Sequence, residues 1–182
     1  MTSSIIHLGV TMSVDKEYFC KGFEAIISHQ PRWMVLGTMP SVESLNQAFY
    51  YAHPRNAFWP IMQSLSNMPI NTIEDKIALV NQAGLAVWDV LESCDRQGSL
   101  DSAIKSPQAN DFETFLANNE KINTICFNGK KAEQLFKRYV LKQQMIPNHI
   151  QYIVLPSTSP ANASITVEDK WLFWQEKLSH LV

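Results

Sequence analysis

The sequence predicts an α/β/α sandwich in three layers around a central four-stranded, mostly parallel sheet. Short apolar runs alternate with helical patterns along the chain. Each run ends in small or polar turn residues, and no internal repeat or linker divides the 182 residues. In an open sheet of this kind, ligands bind beyond the carboxyl ends of the strands.

Residues 1–20 carry no clear period and read as a partly ordered N-terminal arm; residues 21–182 read as one domain. From Trp33 to Leu36 runs WMVL, a buried strand stopped by Gly37 and the turn GTMPS. AFWPIMQSL reads as a helix with Phe58, Ile61, Met62 and Leu65 on one face, and Pro60 fits its first turn. IEDKIALVNQ reads as a helix ending at Gly84, followed by LAVWDVL as the second strand. A helix begins near Asn110 or Asp111, and INTICFNG is the third strand. KKAEQLFKRYVLKQQ is amphipathic, with Ala132, Leu135, Phe136, Tyr139 and Val140 on one side and lysines opposite. HIQYIVLPSTSP is a fourth strand running into a polar turn. Residues 166–180 form the last helix, with Thr166 as N-cap, Glu168 and Asp169 in its first turn, and Trp171 and Trp174 facing inward. The strand ends GTMPS, WDVLESCDRQGS, FNGKK and PSTSP therefore predict one site lined by four loops.

Composition narrows the function classes. Apolar residues make up 46% and charged residues 18%, which describes a folded globular chain rather than a disordered one. The net charge of −2 does not advertise nucleic-acid binding, but a local basic face can sit on a neutral protein. Cys20, Cys94 and Cys126 are odd in number and widely spaced, as expected of reduced thiols and not of a metal site. No metal and no cofactor is expected. No apolar run is long enough to span a bilayer, and the N-terminus lacks the pattern of a signal peptide, so a cytoplasmic protein without a membrane partner is expected.

Chemistry concentrates in FYYAHPRNAFWPIM, where His53, Arg55 and Asn56 are crowded between aromatic rings. That combination suits a surface that holds something flat and polar. LGTMPSVESL, YYAHPRNAFWPIM, WDVLESCDRQGSLDSAI, CFNGKKA and LPSTSPANA, in this order between Gly22 and Ala163, resemble the hypoxanthine-DNA (deoxyinosine) glycosylase branch of the uracil-DNA glycosylase superfamily. The resemblance implies the three-layer fold and hydrolytic removal of a deaminated base (hypoxanthine, or also uracil or xanthine) from double-stranded DNA. It implies base flipping, because the glycosidic carbon is inaccessible in the stack. A monomer suits such an enzyme.

In the wider superfamily the first motif is similar to Gly-x-(Asp or Asn)-Pro-Gly, whose polar third residue positions or activates the attacking water. Met39 stands at that position here, and Ser41 replaces the final glycine. Asn56 is the catalytic candidate that supplies the missing amide; its alternative role is an N-cap of the helix that follows. Gly37, Thr38, Met39, Tyr51, His53 and Asn128 are expected around the base. His53 is alternatively a turn residue bonded to backbone, and Asn128 part of an Asn-Gly turn. Tyr50 and Tyr51 either wall the pocket or pack in the core, as Phe58 and Trp59 are expected to do. Arg55, Ser41, Lys130, Ser157, Thr158 and Ser159 are expected to meet DNA, with alternatives in a salt bridge, a solvated helix start and a Pro-bounded turn. PSTSPANA resembles the superfamily's wedge loop but lacks the histidine that several branches carry there. Asp89 is expected to tie down its loop. No Lys lies in an apolar context suited to Schiff-base chemistry, so an enzyme without strand-cleaving lyase activity is expected. Two alternatives remain open from sequence: a uracil- or mismatch-directed glycosylase, and a binding module of the same fold that has lost its chemistry.

Overall fold

The computed structural model describes residues 18–182. Most of the expected arm, residues 1–17, lies outside the described residues. The strands are β1 (Phe19–Lys21), β2 (Ile26–Ile27), β3 (Trp33–Gly37), β4 (Leu85–Asp89), β5 (Leu91–Asp95), β6 (Lys105–Ala109), β7 (Thr124–Asn128) and β8 (Gln151–Leu155). The helices are α1 (Val42–Gln47), α2 (Phe58–Ser66), α3 (Ile73–Ala83), α4 (Phe112–Ala117), α5 (Lys130–Leu135) and α6 (Val167–Leu178).

The main sheet has the order β2-β4-β3-β7-β8. The four longer strands pair in parallel, and β2 adds two antiparallel residues at one edge. Strands β3, β4 and β7 are buried along their whole length, which is why they appear in the sequence as continuous apolar runs. Helices cover both faces. On one side Phe58 of α2 meets Trp174 of α6 edge-on, with ring centroids 6.0 Å apart. On the other, Phe136 packs against Phe112 of α4 and Phe127 of β7. The result is the expected three-layer sandwich with a mostly parallel central sheet.

Three features depart from the expectations. LAVWDVL is not one strand: β4 stops at Asp89, and after Val90 the chain enters β5 of a separate antiparallel sheet, β1-β5-β6. The backbone N–H groups of Val90 and Leu91 still donate to Gly37 and Thr38 carbonyls, so the departing chain stays fastened to the end of β3. The long basic helix is shorter than expected, because α5 passes into a π-helical turn at Phe136–Val140. Gln144, beyond that turn, accepts from the Phe112 and Glu113 N–H groups and secures the start of α4. Finally, α1 follows GTMPS directly, with Ser41 as its N-cap accepting from Ser44 N–H at 3.1 Å.

Candidate active site

A cavity of about 390 Å³ opens beyond the carboxyl ends of the parallel strands. All four expected loops contribute: residues 37–41, Asp89 and Ser99, Asn128, and residues 157–159. Tyr51 and Asn56 enter from the aromatic segment between α1 and α2.

Gly37 and Asp89 are register partners in the β3–β4 pair. A Cβ on Gly37 would lie 2.3 Å from Asp89 Oδ1 and 3.1 Å from the Tyr51 hydroxyl, so only glycine leaves room for both groups. Tyr51 takes a left-handed φ of 54° and stacks on Phe58 at 4.1 Å between centroids. This turns its hydroxyl inward, where it has no hydrogen-bond partner among the described residues. Burial raises its pKa, so it remains a neutral donor. Tyr50 points the other way: it is buried, and its hydroxyl donates to the Phe23 and Glu24 carbonyls.

Asp89 is buried, and its Oδ2 is also without a partner among the described residues. Burial, reinforced by the charge of Asp101 and partly offset by Arg96, pushes its carboxyl up to about 8. The expectation that Asp89 ties down a loop is corrected: the loop contact at this residue is made by its backbone carbonyl, which accepts from Asn110 Nδ2. Asp101 is fixed by a 2.6 Å hydrogen bond from Thr38 Oγ1, and burial raises its pKa. Arg96 is 3% exposed, donates through Nη2 to the Pro40 carbonyl, and leaves Nε and Nη1 without a partner among the described residues. Its charge opposes those of Asp89 and Asp101.

Asn56 is not the N-cap of α2, a place taken by Ala57 without a side-chain cap bond; its Oδ1 accepts from Phe58 N–H at 3.0 Å from one residue further back, and the residue lines the cavity. Its amide group and a second lone pair remain available. Asn128 is buried, and both ends of its carboxamide engage Thr158 at 2.8 Å. One N–H and one lone pair of that carboxamide remain.

Three expected site residues lie outside the cavity lining, and a fourth, Thr158, lines it but is sealed into the fold. His53 Nδ1 accepts from Arg55 N–H at 3.1 Å, and the ring lines a different recess with Ala52, Trp59 and Lys76. It is a turn residue and not part of the base cavity. Arg55 is exposed on the same turn, outside the cavity lining. Lys130 lines an adjoining recess of about 510 Å³ with Lys131 and Phe173. Thr158 is 1% exposed and uses its N–H, hydroxyl and carbonyl inside the fold, so it presents no surface to DNA. Gly37, Thr38, Met39, Tyr51 and Asn128, and Ser41, Ser157 and Ser159 of the expected DNA contacts, all line the cavity.

The family profile described as the uracil DNA glycosylase superfamily matches residues 25–176. The chain belongs to that superfamily. A hypoxanthine DNA glycosylase of Methanosarcina acetivorans is 31% identical over 158 residues, covering 83% of this chain and 94% of that protein. A protein of the same description from Methanosarcina barkeri is 27% identical over 114 residues, covering 62% of this chain and 72% of its own length. A solution NMR structure from M. acetivorans, provisionally named a uracil DNA glycosylase, superposes with a TM-score of 0.74 at 29% identity and covers 90% and 98% of the two chains. The resemblance read from the motifs and the names of the curated relatives thus agree on the hypoxanthine branch.

Within this superfamily member, the departure at Met39 has a structural counterpart. Met39 is 6% exposed and lines the cavity as apolar wall, while the Asn56 carboxamide reaches the same space from a neighbouring loop. Sequence reasoning missed Asp101 and Arg96 altogether and set Asp89 aside. The only trace of the first two was the length of the segment WDVLESCDRQGSLD, which returns to the cavity after leaving it.

Proposed function

We propose that this protein is a hydrolytic DNA glycosylase that excises hypoxanthine from deoxyinosine in double-stranded DNA. The observation that supports it most is the single cavity bringing the Asn56 carboxamide together with Asp89, Tyr51 and Asn128 around Gly37. Its volume lies within the range of about 300–1,000 Å³ usual for small-molecule sites.

In the reaction the C1′–N9 bond breaks, the electron pair leaves with the base, and water oxygen bonds to C1′ with loss of a proton. The free groups of Asn56 orient that water: one N–H donates to it, or the spare Oδ1 lone pair accepts from it, while the hydrogen bond from Phe58 N–H holds the carboxamide still. Strong base catalysis is not required, since hypoxanthine leaves readily. Asp89 in its neutral form and the Tyr51 hydroxyl offer donors where charge builds on the departing purine; one such donor contributes about 3 kcal/mol to a barrier. Asn128 closes the cavity with one remaining donor and one acceptor for the base edge.

Gly37, Thr38 and Met39 line the base space, and Ser41, Ser157, Ser159, Arg55 and Lys130 meet the DNA around its mouth. No lysine is among the residues lining the cavity. Lys170, near the 157–162 loop, is buried with its Nζ committed to the Ser159 and Asn162 carbonyls. The enzyme therefore leaves an abasic site and does not cut the strand.

The test uses labelled duplexes holding one deoxyinosine, one deoxyuridine or neither. The reading expects alkali-dependent cleavage at deoxyinosine and none without alkali. Cleavage at deoxyuridine alone would move the assignment to a uracil-directed enzyme. Retardation of the duplex without cleavage would favour the binding module.

A further inference from the structure

Two carboxyl groups line the cavity, those of Asp89 and Asp101, and their surroundings differ. Asp89 is buried at the end of β4, and its Oδ2 has no partner among the described residues. Asp101 is partly buried and stands where the cavity meets the recess that holds Lys130 and Lys131; it lines both. Its position is fixed twice. Thr38 Oγ1 donates to Oδ1 at 2.6 Å, and the Asp101 backbone carbonyl accepts from Ile104 N–H at 3.3 Å. Oδ1 is thereby occupied, and Oδ2 is the oxygen left for a ligand. Burial raises the pKa of Asp101, but the Thr38 hydroxyl and the charges of Arg96 and Lys131 draw it back; for Asp89 only Arg96 does so. Two carboxyl groups so differently surrounded take different parts, Asp89 as a donor and Asp101 as an acceptor.

Deamination changes one edge of a base in a definite way. Adenine presents an amino group at C6 beside a bare N1, a donor next to an acceptor. Hypoxanthine presents O6 beside N1–H, an acceptor next to a donor. Conversion of cytosine to uracil makes the same exchange at C4 and N3. An ionised carboxylate only accepts hydrogen bonds, so it suits the ring N–H and opposes the bare ring nitrogen. Asn128, whose remaining N–H is free to donate to O6, lines the same cavity as Asp101.

We infer that Asp101 determines which bases are accepted: its Oδ2 takes the hydrogen bond from the ring N–H that deamination creates, N1–H in hypoxanthine, and turns away adenine, whose N1 has no hydrogen to give. The inference rests on the glycosylase reading above and adds to it the residue that selects the base. A site built around such a hydrogen bond rejects a base that lacks it, because the buried polar group is then left unpaired. Guanine and thymine also carry a ring N–H. Asp101 therefore separates deaminated bases from adenine and cytosine, and other parts of the cavity must reject guanine and thymine.

The test compares the full-length wild type with Asp101→Asn in single-turnover excision from duplexes holding one deoxyinosine or one purine deoxyriboside, a base with a bare N1 and no O6. Asp101→Asn is nearly isosteric and keeps an oxygen for the Thr38 hydroxyl, but it turns an N–H toward the base. The ratio of the deoxyinosine rate to the purine rate is expected to narrow by about tenfold or more. Inhibition by free hypoxanthine and by free purine gives the same ratio at equilibrium and should narrow with it. Thr38→Val, which releases the Asp101 carboxyl, narrows both ratios in the same direction and adds little to Asp101→Asn. A residue that merely supports the fold would lower both rates together. Equal losses on both substrates, or a ratio that narrows in neither assay, would overturn the inference. If wild type does not excise hypoxanthine, the glycosylase reading fails and this inference falls with it; that result is distinct because it precedes any comparison of variants.

Discussion

Asn128 and Thr158 exchange two hydrogen bonds of 2.8 Å, side chain to hydroxyl and backbone N–H to side chain. The Thr158 carbonyl also accepts from Ala57 N–H at 3.1 Å, beside Asn56. One buried threonine thus links the end of β7, the loop after β8 and the start of α2. In Thr158→Val the Asn128 amide loses its acceptor in a buried setting, which costs about 1–3 kcal/mol. Thermal melts of Thr158→Val, Asn128→Ala and the double variant should show losses that are clearly less than additive, because the residues share one interaction. Additive losses would mean that the pair is not a coupled unit.

Gly37 permits the approach of Asp89 and Tyr51. Gly37→Ala places a methyl group 2.3 Å from Asp89 Oδ1, so the carboxyl or the strand must move. Displacement of this order costs about 100-fold in rate where geometry matters. Overpacking lowers stability by about 1–3 kcal/mol as well. Single-turnover rates measured well below the variant's melting temperature separate the two effects. A folded Gly37→Ala with wild-type rate would remove Asp89 and Tyr51 from the site.

The Asp89 carboxyl, at about 8 in the folded protein against 3.8 as its ordinary value, makes stability depend on pH. Between these values the folded state holds a proton that the unfolded state releases, so stability falls as pH rises from about 4 to about 8, then levels off. Asp101, also raised, adds to the slope in its own range, and Arg96 opposes both. Asp89→Asn carries no such proton, so its stability should gain on wild type steadily across that window, by at most about 1.4 kcal/mol per pH unit, read as a widening difference in melting temperature. Excision by wild type should decline above about pH 8, as the Asp89 donor is lost, and Asp89→Asn should lack that limb. Parallel melting curves for the two proteins from pH 4 to 9 would show that Asp89 is not held neutral.

Much of the fold was legible because β3, β4 and β7 are buried on both faces and stand out as apolar runs ending in Gly37, Asp89 and Asn128. The small sheet was not. LESCD and KSPQA are only partly buried and lack clean alternation, and Val90 is apolar, so nothing in the sequence marks the break between β4 and β5. Asn56 stood out as an amide among aromatic residues, and its catalytic role came from the resemblance to the hypoxanthine branch. Its neighbours misled, since adjacency along the chain is not adjacency in space: the turn that positions Asn56 directs His53 into another recess. Asp89, Asp101 and Arg96 converge only through the pairing of β3 with β4 and the return of the 96–101 segment, a long-range geometry that no local pattern encodes.

The central claim, excision of hypoxanthine with Asn56 orienting the water, is tested most directly by single-turnover cleavage of a deoxyinosine duplex with wild type and Asn56→Ala. The account predicts that wild type generates alkali-labile sites and that the variant falls by about 100-fold or more, while its stability drops only by the loss of the hydrogen bond from Phe58 N–H, about 1 kcal/mol. A variant that loses that stability yet keeps the wild-type rate would contradict the account and leave Asn56 as a turn residue that only secures the start of α2.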